Sequence, residues 1–374
     1  MRAIVPAAVV VIAGAVAAGV MLWPFSSGAA RQTGAAGQPA GSAAPAGGRI
    51  LALTPAGSLV FAYPDGTHVT TVRTLGAVGQ VVSASPDHRY LSLGYGQVAI
   101  VRHGPVLAAY PTKMSLSWDK TPVWPDSFAD HERRLVMLLT YGANVSATNP
   151  ILLTSIATGR SVSLGVGDHV AGDPQAAGAF LSVAAPPRPS AAVPRFSQDT
   201  RIELHDAGRP PVRLATAAAL NHDLGQSRHL PVALIPYPNQ SGDKIAVIVQ
   251  PTAGSQQAGM VMLTRTGRVL GAVPARLGVE GTPAWAPSGR SVAYASNGRN
   301  GPELRIWKIG GQVATRPFPV TSGYHWCLWS PDGASILCTA PGNGADSQRW
   351  AITRAAGGAM AGVRGPGFPV AWLP

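Results

Sequence analysis

A short hairpin recurs along this chain, and its recurrence restricts the fold more than any other feature. Residues 282–296 read TPAWAPSGRSVAYAS and residues 325–340 read HWCLWSPDGASILCTA. Each holds a brief apolar strand carrying Trp, a Pro-containing turn and a second strand of alternating character. Proline presets φ at about −65° and glycine supplies positive φ, so the chain reverses at little steric cost. A third strand follows each hairpin, at 303–309 (ELRIWKI) and 348–353 (QRWAIT). Weaker copies stand upstream: 81–93 (VVSASPDHRYLSL), 123–139 with Trp124-Pro125-Asp126 before RLVMLL, 172–183, and 234–249 with a Ser-Gly-Asp turn before KIAVIV. Glycine (44) and proline (34) are abundant without a period, which fits an all-β chain rich in turns.

A unit of this kind cannot bury both of its faces alone, and stacking copies around an axis solves that problem. The two ends complement each other. Residues 368–373 (FPVAWL) read as the first strand of a unit that then stops, whereas 49–53 (RILAL) and 58–62 (SLVFA) read as later strands lacking a first. One unit built from both termini leaves no free end strand. Counting the shared unit and those starting near Val81, Val123, Val170, Leu234, Trp285 and Trp326 predicts a seven-bladed β-propeller over 49–374. Its repeat of about 47 residues suits such a fold, and six or eight blades are the alternatives. A β-sandwich explains neither the recurrent hairpins nor the complementary ends.

Trp329-Ser330-Pro331-Asp332-Gly333 followed by Ile336 and Cys338, and Trp285-Ala286-Pro287-Ser288-Gly289 followed by Val292 and Tyr294, resemble the TolB-type (WD40-like) β-propeller repeat; Ser85-Pro86-Asp87 matches in part. The resemblance implies an extracytoplasmic propeller that binds partners. In the founding family the partner is a peptidoglycan-associated lipoprotein, and an N-terminal α/β domain accompanies the propeller. Here an apolar segment and a linker stand in that domain's place, so the partner does not carry over.

That apolar segment, residues 3–23, is free of charge and follows Met1-Arg2. At 1.5 Å per residue it spans the roughly 30 Å hydrocarbon core of a bilayer. Residues 1–25 are therefore expected to form a transmembrane anchor, a cleaved signal peptide being the alternative. Arg2 favours an inside N-terminus, which places the rest outside the cytoplasm. Residues 26–48, almost pure Ala, Gly, Pro, Ser and Gln, read as a flexible linker. The net charge of +12 comes mostly from singly scattered arginines, the densest pair being Arg133-Arg134, which argues against nucleic acid as a partner. A monomer is the expected state.

No motif commits the chain to catalysis. Gly289-Arg290-Ser291-Val292-Ala293 departs from the nucleophile-elbow pattern and lies in a hairpin. His131-Glu132 lacks a second histidine at the zincin spacing, and His222-Asp223 with His229 reads as a polar loop. Asp126, Asp130 and Glu132 cluster between two strands, where paired carboxylates suit glycoside chemistry but more often serve turns. The tryptophans at 285, 307, 326, 329 and 350 read as packing between blades. With two cysteines in the chain, no Cys-based metal cluster is available. Cys327 and Cys338 lie five residues outside Asp332-Gly333, so a two-residue turn there sets them opposite each other as a disulfide. The expected function is non-catalytic binding or scaffolding of a protein or cell-envelope ligand, without cofactor or metal. The alternative is a propeller hydrolase or lyase acting on envelope glycans or glycosylated compounds.

Overall fold

The structure is a computed structural model that describes residues 47–74, 81–84, 90–93, 97–101, 106–111, 123–139, 149–158, 160–184, 197–252, 257–274, 278–298, 300–319, 326–339 and 349–374; side chains are described for these except at 73–111, 123–126, 139 and 280. The expected anchor, most of the linker and the Ser85-Pro86-Asp87 turn lie outside the described residues. Among the described residues no helix is long and apolar enough to cross a membrane.

Strands β1 (Arg49–Leu53), β2 (Ser58–Ala62) and β3 (Thr70–Thr74) join the last strand, β28 (Phe368–Leu373), in the order β28-β1-β2-β3. Four further sheets each follow chain order. These are β4 (Val81–Ala84) with β5 (Tyr90–Leu93), β6 (Gln97–Val101) and β7 (Val106–Pro111), then β8 (Val123–Ala129) with β9 (Arg134–Leu139), β10 (Asn149–Ser155) and β11 (Ser161–Gly167). Next come β12 (His169–Gly172) with β13 (Gly178–Val183), β14 (Arg201–Asp206) and β15 (Val212–Thr216), then β16 (Val232–Pro238) with β17 (Lys244–Pro251), β18 (Gly259–Thr264) and β19 (Val269–Val273). The last sheet has eight strands. Its halves are β20 (Glu280–Trp285), β21 (Ser291–Gly298), β22 (Gly301–Lys308), β23 (Val313–Pro317) and β24 (Trp326–Trp329), β25 (Ser335–Thr339), β26 (Arg349–Arg354), β27 (Ala361–Arg364). A single parallel bridge, Thr282 to Trp326, joins the halves.

Every set of four is an antiparallel meander, and its first strand lies beside the first strand of the next. Thus β4 neighbours β8, β8 neighbours β12, β12 neighbours β16, β20 neighbours β24, β24 neighbours β28, and β28 returns to β4. The remaining step is bridged by Trp285 Nε1, which donates to Tyr237 O of β16 at 2.9 Å. Cores fill the gaps between successive sets. Ile245, Val247 and Val249 of β17 pack toward β12–β15, whereas Ala246 and Ile248 pack toward β20–β23. Both faces of such a strand are buried, which is why KIAVIV runs apolar without alternation. Between the first and last sets, Ile50, Val60 and Trp372 meet Leu337 and Trp350.

Among the described residues, one helix departs from the all-β expectation. Alpha-helix α1 (Ala217–Asp223) is capped by Thr216, whose Oγ1 accepts from Ala219 N at 3.3 Å. Ala217, Leu220 and Leu224 enter the core between β12–β15 and β16–β19. An Ala-Leu run favours a helical turn, and burying these side chains holds it.

Cys327 and Cys338 are joined by a disulfide, with Cα atoms 4.1 Å apart. The turn between them is longer than a two-residue Asp-Gly turn. Ser330 N donates to Ser335 O at 2.9 Å and Gly333 N to Ser330 O at 2.8 Å, so four residues form the loop. Both loops are centred on the Asp332–Gly333 peptide, so the register is the same: Cys327 faces Cys338 and Trp329 faces Ile336. Gly333 supplies the required φ of 70°.

Candidate functional site

First strands run from what we term the starting end toward the Pro-turn end, and second strands return. The starting end of the β20–β23 set therefore brings together the end of β21, the start of β22 and the end of β23. There lies a cleft of about 590 Å³, lined by Gly298, Asn300–Glu303, Arg305, Thr315 and Pro317–Pro319. Prolines suit strand ends, where a missing N–H breaks no ladder bond. Phe318 N donates to Pro302 O at 3.1 Å, folding this segment across the strand ends, and the Phe318 ring is buried in the core facing β24–β27.

Glu303 and Arg305 alternate on β22 and so share one face. Arg305 Nε donates to Glu303 Oε1 at 2.6 Å, and Arg305 Nη2 reaches the same oxygen. Glu303 Oε2 takes neither bond. It sits where a side chain at 298 would project, since an added Cβ there would fall 2.5 Å from it. Arg305 pairs across the ladder with Tyr294 of β21. Burial pushes the Tyr294 phenol up to about 12, although Arg305 beside it acts in the opposite direction. The phenol thus stays protonated. The arrangement offers a wall of prolines, a fixed ion pair and one carboxylate oxygen that Arg305 does not take.

The residues singled out in the sequence fall elsewhere. Asp130, His131 and Glu132 form the β8–β9 turn, all with φ between 47° and 68°. Asp130 pairs with Arg134 at 3.2 Å, and its N–H, with that of His131, docks on carbonyls of the 173–176 turn. Asp126 lies in β8, its side chain outside the described ones. His222 lies in the last turn of α1 with Asp223 Oδ1 3.8 Å from its Nδ1, while His229 Nδ1 lies 2.7 Å from Gln198 Oε1. Among the described residues no group of three or more His, Cys, Asp or Glu could hold a metal ion. Ser291 opens β21 after a hairpin turn, not a strand-to-helix elbow. Trp307 and Trp350 are buried, and Trp326 rests against Phe368 with ring centroids 5.7 Å apart. The cleft residues escaped sequence reasoning because ELRIWKI reads as an ordinary strand. The available signal was opposite charges at i and i+2, which recurs at Arg201 and Glu203 on β14.

No family model matches the chain, and no curated protein matches it. Solved structures do. An oligogalacturonate lyase in complex with manganese superposes with a TM-score of 0.52 at 13% identity, over 79% of this chain and 86% of that one. The Cps50 β-propeller domain of Myceliophteria thermophila gives 0.50 at 12%, over 77% and 88%. TolB from Acinetobacter baumannii gives 0.44 at 16%, over 72% of this chain, which spans 63% of TolB. At these identities the likeness is one of fold alone. By architecture, the chain is a β-propeller.

Proposed function

We propose that the chain is a seven-bladed propeller that binds a partner without transforming it, with the β20–β23 cleft as the contact site. The count treats the eight-stranded sheet as two blades, since a single bridge joins its halves. The observation that carries the binding reading is the Glu303–Arg305 pair, the two charged side chains lining the cleft among the described residues. Arg305 is spent on Glu303 Oε1, so neither is poised as a free acid beside a free base. Residues 1–25 serve as the membrane tether in this reading, and the Cys327–Cys338 disulfide fits the oxidising compartment it implies.

Photocrosslinking in cells that make the full-length chain tests this. A photoreactive residue replacing Asn300 at the cleft is expected to give one discrete adduct. The same residue replacing exposed Thr158, in a turn of β8–β11, is expected to give none. Equal adducts at both positions, or release of product from envelope glycans by the purified chain, would contradict the reading.

A further inference from the structure

We propose that the cleft takes an organic ammonium group, with Glu303 Oε2 as its acceptor. This rests on reading the cleft as the binding site and adds the chemistry of what enters it. The argument begins with the two carboxylate oxygens. Arg305 directs Nε and Nη2 at Oε1, so the guanidinium fixes the carboxylate plane and leaves the second oxygen aside. Neither Arg305 contact is to Oε2, which lies against Gly298 in space that a side chain there would take. A carboxylate oxygen at a cleft wall is best satisfied by a charged N–H donor, because charge-assisted bonds are about twice as strong as neutral ones. Its surroundings suit the remainder of such a molecule. Pro302, Pro317 and Pro319 present apolar surface against which a methylene stem or an aromatic ring packs. The Glu303 carboxylate repels an anion, and Arg305, buried, is already bonded to that carboxylate. A lysine side chain and a free primary amine share this chemistry.

Titrations of the full-length chain, followed through the amide resonances of Gly298 and Gly301, separate the outcomes. Benzylamine is expected to shift both saturably and at least tenfold more tightly than benzyl alcohol, while benzoate leaves them unmoved. Nα-acetyl-lysine amide distinguishes the sources. Binding comparable to benzylamine assigns the site to lysine side chains, and at least tenfold weaker binding assigns it to free amines. In the Gly298→Ala variant the new Cβ displaces the carboxylate, so the preference for benzylamine over benzyl alcohol should vanish. If that variant fails to fold, the wild-type series decides alone. Equal binding of benzyl alcohol, or any binding of benzoate, overturns the ammonium assignment and leaves the cleft as a site. Resonances unmoved by every compound overturn both readings.

Discussion

At the scale of single residues, the turns repeat a few hydrogen bonds. In the last blade Ser330 Oγ accepts from Ser335 N at 2.8 Å and donates to Asp332 Oδ1 at 2.6 Å. Asn239 holds the corresponding place in β16–β19, its Oδ1 accepting from Lys244 N and its Nδ2 donating to Asp243 Oδ1 at 2.7 Å. Proline and glycine at these turns were legible because each answers a backbone requirement; the polar hubs were not, since Ser and Asn suit many loops equally. The tryptophans ending β20 and β24 carry a second regularity. Trp329 Nε1 donates to Ala284 O at 2.9 Å, as Trp285 Nε1 does to Tyr237 O, so each indole reaches back one blade. Sequence periodicity identified the rings but not their donors' targets. Trp329→Phe keeps most of the packing and removes the donor, so urea unfolding should show a loss of about 1 kcal/mol. Ser330→Ala strands the buried Ser335 N–H, and the same measurement should show a loss of about 1–3 kcal/mol.

At the scale of elements, β14 clasps the preceding sheet through one row of side chains. Arg201 Nε donates to Glu203 Oε1 at 2.5 Å, and His205 Nε2 lies 2.8 Å from Glu203 Oε2. His205 Nδ1 lies 2.8 Å from the Leu164 carbonyl on β11; a carbonyl only accepts, so Nδ1 carries a proton. Burial alone would raise the Glu203 carboxyl, but the bonds from Arg201 and His205 hold it below its usual range. A depressed carboxylate adds stability above its unfolded value of about 4.3, and that contribution disappears as pH falls through the folded value. Glu203→Gln should therefore cost about 2 kcal/mol at pH 7. The gap to wild type should narrow as urea midpoints are followed toward pH 3. The disulfide acts on one hairpin. Both cysteines are buried, so thiol reagents should label them only after unfolding and reduction. Loop entropy predicts that reduction lowers stability by about 2–3 kcal/mol. Helix α1 was illegible for a different reason: seven residues carry no period, and only the core they plug decides their shape.

At the scale of the whole molecule, ring closure depends on the two ends of the described chain. Ile50 pairs with Trp372 and Leu51 with Ala371, and Trp372 Nε1 donates to Gly47 O at 3.3 Å. This pairing was foreshadowed in the sequence because an unpaired first strand and an orphaned set of later strands complement each other. The cleft was not, because Glu303, Arg305 and the three prolines gather from two strands and their flanks without a shared motif. The central claim is that the last strand locks the first set into a closed ring. Hydrogen exchange of the native chain, read on the peptides covering Arg49–Leu53 and Phe368–Leu373, tests it most directly. Closure predicts that the backbone amides of Leu51 and Ala371 exchange as slowly as those of Val247 and Leu337, opening only with global unfolding. Exchange of the Phe368–Leu373 peptide at the rate of an unstructured chain, with β17 and β25 still protected, would contradict it.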